Sequence, residues 1–290
     1  MDGHPMIIPP VFLSASEPDP DRKEEYWQSQ NLLNVREAVR AFCAHALAHY
    51  PVVYGGHPAI TPLVRQVASR IEHDAATGTK PGKSVKNPIT LMFQSGLHVK
   101  PSSADQSVIV TPAHESDGTI ATPEGGTRNA SLLRMRYEMI GRPGKYPVHL
   151  LEGHANEFGA QRLARLKTYE FTAAVFIGGM EGVEREFRIF RSFHPETPAY
   201  PIGSTGSACA KLLKQVRPYL SPETFDALRG ETAYSLLMQQ LLPVPDSSVG
   251  GSLGAGNWRE DPRAGDPRSH IDPKEIDRAR VNLPQRSGRT

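Results

Sequence analysis

Three short glycine-bearing segments hold the residues best suited to chemistry. They are Tyr54-Gly55-Gly56-His57, Ile177-Gly178-Gly179-Met180-Glu181-Gly182 and Ile202-Gly203-Ser204-Thr205-Gly206-Ser207. Each ends an apolar run and opens into a helix-length segment. Glycine lacks the Cβ that would keep a phosphate or ribose off the backbone. The helix that follows offers unpaired N–H groups and a partial positive charge to an anion. On this reading the amides of Gly56, Gly179 and Gly206 take phosphates, and Ser204 and Thr205 add hydroxyl contacts. Glu181 accepts from ribose hydroxyls, while Arg136 pairs with a phosphate, bidentately where geometry allows. Gly55, His57, Gly178, Met180, Gly182 and Gly203 complete the three turns, and Ser14 and Ser16 end the first apolar run at the same level. Gly179→Val is expected to block binding and leave the fold largely intact.

Each group also has a plainer reading. Glycines serve turns in most α/β domains. Glu184 and Glu186 suit a solvated first helical turn, where negative charge complements the dipole. Arg136 can pair with Glu138, and His57 can stack on Pro58 in place of contacting a base or phosphate. Cys43 reads as helix core; Cys209 reads as a small packed residue, although a thiol near a helix start can be activated. His114, His149, His154 and His194 lack ligand spacing, so no metal is expected, and no cofactor is implied. Neither GxxxxGK[ST] nor GxGxxG occurs, which sets the site apart from ordinary ATPases and dehydrogenases.

The elements that must position these groups follow from periodicity. Short apolar runs at 11–16, 51–56, 89–94, 108–111, 172–179 and 199–205 read as strands. Between and after them, 31–50, 61–73, 128–140, 182–191, 207–216 and 222–242 read as helices, with Pro62 in the first turn of its helix. Strands separated by helices imply parallel pairing through right-handed crossovers. Only about a dozen residues join the runs at 94 and 108, barely a crossover, so the fourth strand is expected at an edge or as an irregular extension. The expected fold is α/β, a Rossmann-like doubly wound and mostly parallel sheet of about six strands. In such a sheet all three turns share the carboxyl edge, where ligands bind.

The chain has 290 residues, 38% hydrophobic and 22% charged, enough for one large domain. Thirty-three Lys and Arg against 31 Asp and Glu leave a net charge of +2, which gives no reason to expect nucleic acid or a membrane surface as partner. Two cysteines make no disulfide scaffold. The N-terminus has Asp2 and two prolines in its apolar run, a poor signal peptide, and nowhere do about 18 apolar residues run together. The expected location is the cytoplasm. Residues 1–242 read as one domain, with surface insertions at about 112–127 and 141–168. Residues 243–290, rich in Pro, Gly and mixed charge, read as a disordered tail, with room for a short helix at 273–281.

VFLSAS, VVYGGHPAITPLV, NASLLRMR, AAVFIGGMEGVEREF and AYPIGSTGSA, in this order over about residues 8–216, resemble the SLOG superfamily. The closest likeness is to its prokaryotic branch associated with conflict and anti-phage systems, and more distantly to the LOG phosphoribohydrolases. The resemblance implies a Rossmann-like fold that binds nucleotides or NAD-derived ligands, as a sensor or as a catalyst that cuts an N-glycosidic bond. The family's PGGxGTxxE motif maps onto Ile177 to Glu186 with departures: Ile177 stands for Pro, an extra residue precedes Gly182, and Val183 replaces Thr. Its glutamate maps onto Glu184 or Glu186, with Glu181 as a substitute, and Arg136 is the candidate partner arginine. If the chain is a catalyst, Glu184 or Glu181 stabilises an oxocarbenium-like centre at the ribosyl carbon. The expectation is therefore a nucleotide-binding sensor, with a LOG-like glycosidase and an interaction protein with a vestigial cleft as rivals. A nucleotide-type small molecule is the expected partner, with room for self-assembly and for an effector protein.

Overall fold

The computed structural model describes residues 9–21, 24–78, 90–95, 108–111, 132, 135, 136, 139, 140 and 171–244. Six strands, β1 (Val11–Ser16), β2 (Val52–Gly55), β3 (Thr90–Ser95), β4 (Val108–Thr111), β5 (Ala173–Gly178) and β6 (Ala199–Ile202), form one parallel sheet in the order β4-β3-β2-β1-β5-β6. The chain runs outward from β1 to β4, returns to β5 beside β1, and continues to β6 on the other side. The order reverses between β1 and β5, and that reversal is where an open α/β sheet forms a crevice at its carboxyl edge. β4 is indeed the edge strand, fully parallel to β3.

Helices α1 (Glu24–Gln28), α2 (Leu32–His49), α3 (Thr61–Thr77), α4 (Glu181–Phe193), α5 (Ser207–Val216), α6 (Pro222–Gly230) and α7 (Tyr234–Leu241) surround the sheet. Residues 132, 135, 136, 139 and 140 are helical too, as their spacing predicts. Because β1→α2→β2 and β5→α4→β6 step in opposite directions along the sheet, right-handed crossovers put α2 and α4 on opposite faces. On the α4 face, Phe12 and Phe176 meet Phe190, and Phe176 also meets Phe187. The other face takes the α2 stripe of Val35, Val39, Phe42 and Leu47, all fully buried. Cys43 lies in that stripe, where burial pushes its thiol up to about 12.

Three elements differ from the periodicity. The helix expected over 222–242 is two helices, because the Glu231 carboxylate accepts the N–H groups of Thr232 and Ala233 and turns the chain. The last strand stops at Ile202; Gly203–Thr205 is a 3₁₀ turn closed by the Gly206 amide on the Gly203 carbonyl. α1 has five residues, too few to show a period, yet it buries Tyr26. The expected insertions and all but the first two residues of the expected tail lie outside the described residues. No described helix is long and apolar enough to cross a membrane.

Candidate functional site

β1 ends in Ser14, Ala15 and Ser16. Ser14 is 1% exposed, and its hydroxyl donates to Oε2 of Glu186 at 2.7 Å. The other oxygen of Glu186 holds the Nε of Arg136 at 3.1 Å, with both side chains about one-eighth exposed. Glu186 lies in the second turn of α4, and Arg136 on the helical stretch before β5. Gly182 makes room for the pair: a Cβ there would sit 3.0 Å from Arg136 Nη2. Of the two glutamates left open by the motif, Glu186 therefore meets the arginine. Glu184 turns elsewhere and accepts the Tyr26 hydroxyl at 2.8 Å. Burial and then Glu184, with Glu181 and Glu25 behind it, push the Tyr26 hydroxyl well above its usual range.

His57 sits past the end of β2. Its Nδ1 accepts the Ala59 N–H at 3.2 Å. Burial pulls its pKa down, while the carboxylates of Glu186 and Glu17 pull the other way to a lesser degree. Glu17 is itself held by a two-pronged pair with Arg36, at 2.7 and 3.2 Å. Gly55 lies under Met135 and Met139, which a Cβ would touch at ordinary contact distance. Gly56 is half-buried in the same turn.

The second and third turns are joined to one another. Thr205, fully buried, accepts the Gly178 N–H at 2.9 Å and donates to the Ile202 carbonyl at 2.5 Å. The Ala208 N–H reaches the Gly179 carbonyl at 3.1 Å. The chain from α1 into the first turn of α2 lies over the third turn. The Asn31 N–H meets the Thr205 carbonyl, Asn34 donates to the Ser204 carbonyl, and Ser207, itself left-handed at φ +56°, donates to the Tyr26 carbonyl. The Ser204 hydroxyl meets the Tyr234 hydroxyl at 3.1 Å. Gly206 has φ +75°, and a Cβ there would overlap the Ser29 carbonyl. In this turn the close approach that glycine permits is made by the chain itself.

The same holds at Gly178 and Gly179. A Cβ on Gly178 would lie 2.8 Å from Val35 Cγ2 and 3.0 Å from the Ser16 carbonyl oxygen. Gly179 has φ +85°, and its Cβ would lie 2.6 Å from Val183 Cβ. The expectation that Gly179→Val spares the fold is thus corrected: the position demands a left-handed backbone and has no space for a side chain. Met180 is buried at the start of α4, and Glu181 opens that helix half-buried. Of the groups marked by the sequence, the fold brings Ser14 and Arg136 onto the Glu186 carboxylate and Gly182 beside Arg136, while Glu186 acts on the His57 ring only through its charge. The fold assigns Thr205, Gly206 and Glu184 contacts within the protein.

Two other marked residues are core. Cys209 is fully buried, and burial raises its thiol far above the reactive range. His194 is 3% exposed beside the rings of Phe171 and Phe190, with Nε2 at 2.8 Å from the Ile140 carbonyl. His114, His149 and His154 lie outside the described residues. Tyr26 and Glu17 had no signal in the sequence, since each acts through a partner distant along the chain.

A family model described as the SLOG cluster3 family matches residues 25–81 and 149–242, just over half of the chain. The matched residues include His57 and Glu186; Ser14 and Arg136 fall outside them. No curated protein matches the chain.

Proposed function

This chain belongs to the SLOG cluster3 family, and we propose from that premise that it binds a nucleotide or NAD-derived ligand at the carboxyl edge of its sheet. Its role is that of a sensor in a prokaryotic defence or signalling system, working in the cytoplasm. The observation that carries the reading is the Arg136–Glu186–Ser14 cluster beside the reversal point between β1 and β5. Arg136 uses Nε on Glu186, and its two Nη groups have no partner among the described residues. A guanidinium held through Nε keeps its fork for a planar or phosphate acceptor. Glu186 and Glu181 accept hydroxyl donors, as a ribose diol would supply. The ligand-binding set is Ser14, Ser16, Gly55, Gly56, His57, Gly182, Arg136, Glu181 and Glu186, with Met180 closing the apolar side.

The same pair favours a second reading, a LOG-like N-glycosidase. A carboxylate fixed by a guanidinium and a hydroxyl is positioned to stabilise an oxocarbenium-like ribosyl centre. Glu186, not Glu184, takes that role, because it alone of the two meets Arg136.

One experiment tests both. The protein is incubated with AMP, NAD, ADP-ribose and cyclic ADP-ribose, with base release followed by chromatography and binding by thermal shift. A shift without turnover, lost in Arg136→Met, is the expected result. Base release abolished by Glu186→Gln establishes the glycosidase instead. Neither shift nor turnover with any of the four defeats both readings and leaves the interaction protein.

A further inference from the structure

The turn after β2 fixes more than the position of His57. Its N–H donates to the Gly55 carbonyl at 2.8 Å, and its own carbonyl accepts from Ile60 and Thr61 at 3.0 and 2.9 Å. The backbone is therefore pinned at the start of α3. The Ala59 N–H then donates to Nδ1. A nitrogen that accepts a hydrogen bond carries no proton, so the neutral ring must carry its proton on Nε2. Among the described residues Nε2 has no partner.

Resting on the binding reading above, we infer that His57 donates its Nε2–H to an uncharged acceptor of the ligand, a base nitrogen, a base carbonyl or a sugar oxygen. It does not act as a phosphate-binding cation. The charged groups around it agree. Among the described residues, Glu186 on α4 and Glu17 after β1 are the carboxylates that act on the ring, and each is already matched by an arginine, Arg136 and Arg36. Protonating the ring would also set an Nδ1–H against the Ala59 N–H, breaking the turn that orients it.

The two halves of the ring can be separated by substitution. In His57→Asn the amide oxygen can take over the Ala59 N–H but cannot reach the place of Nε2. His57→Gln extends a donor toward that place and gives up the turn. Binding of NAD and ADP-ribose, neither of which titrates between pH 5.5 and 8, is measured by calorimetry on the full chain. His57→Asn is expected to melt with the parent and bind roughly five- to tenfold more weakly, the worth of one neutral hydrogen bond. His57→Gln recovers part of that loss. Parent affinity stays level above pH 7 and weakens toward pH 5.5; a cationic phosphate contact would strengthen instead. Nitrogen-15 spectra of the histidine rings without ligand show the Nε2–H tautomer at pH 7.

Parent-like affinity in His57→Asn, tighter binding on acidification, or a charged or Nδ1–H ring at pH 7 overturns the inference alone. Should none of NAD, ADP-ribose and AMP bind at all, the binding reading fails, and this contact with it.

Discussion

The Ser14 hydroxyl reaches Oε2 of Glu186 at 2.7 Å and ties the end of β1 to the second turn of α4. The bond spans 172 positions of sequence and is made by a serine that is 1% exposed. Its acceptor is charged, so removing the hydroxyl takes away a strong hydrogen bond. Ser14→Ala is expected to lower stability by about 2 kcal/mol. Urea unfolding checks this, and an unchanged midpoint would mean that water replaces the hydroxyl at no cost.

Thr205→Val keeps the shape of the side chain but removes both of its bonds, leaving the buried Gly178 N–H without an acceptor. A loss of about 2–4 kcal/mol is expected, combining a lost hydrogen bond with an orphaned buried donor. Because Thr205 faces Gly178 and Ile202, ligand affinity measured well below the melting temperature should stay near that of the parent. A variant as stable as the parent but unable to bind ligand would reverse this assignment and put Thr205 in the site.

Gly206→Ala and Gly179→Ala should both impair folding, since each sets a Cβ on a left-handed backbone against an occupied position. The cost of the backbone alone is about 1–2 kcal/mol. Gly206→Ala should cost more, because its Cβ would overlap the Ser29 carbonyl oxygen, closer than any approach at Gly179. Gly55→Ala, whose Cβ meets Met135 and Met139 at contact distance, is the control expected to fold. Soluble yield and thermal midpoints of the three variants rank the positions.

Acid should weaken the fold as it protonates His49 and His57. Burial lowers the pKa of both His57 and His49 from the ordinary 6.5, and His45 adds to the effect at His49. The unfolded chain therefore takes up these protons at a higher pH than the folded one. Stability is complete above about pH 7, falls as the pH drops through 6.5, and levels off below the two folded values. Each ring contributes at most about 1.4 kcal/mol per pH unit within that window. Urea midpoints at pH 7.5 and 5.8 should converge in the double variant His49→Asn/His57→Asn. A parent midpoint that rises on acidification has the opposite sign and would refute the argument.

Alternating apolar runs and helical stripes determined the parallel α/β architecture, since burial on both faces of a strand and one face of a helix leaves a mark at short range in sequence. β1, the stripe of α2, the β5 run and the glycine turns are all legible in that way. The split between α6 and α7 and the presence of α1 were not. A three-residue break depends on one carboxylate cap, and a five-residue helix on a single buried tyrosine. The choice among Glu181, Glu184 and Glu186 also needed the fold. All three lie within six residues on one helix, and a helix turns about 100° per residue, so which of them faces Arg136 depends on how α4 is rotated against the sheet. The glycines show the same division. Sequence placed them at strand ends, where left-handed backbone is useful, but only tertiary packing decided that Val35 and Ser29 fill the space beside Gly178 and Gly206. Local pattern reports the need for a small residue, and the neighbour that imposes the need is supplied by chain folded back from elsewhere.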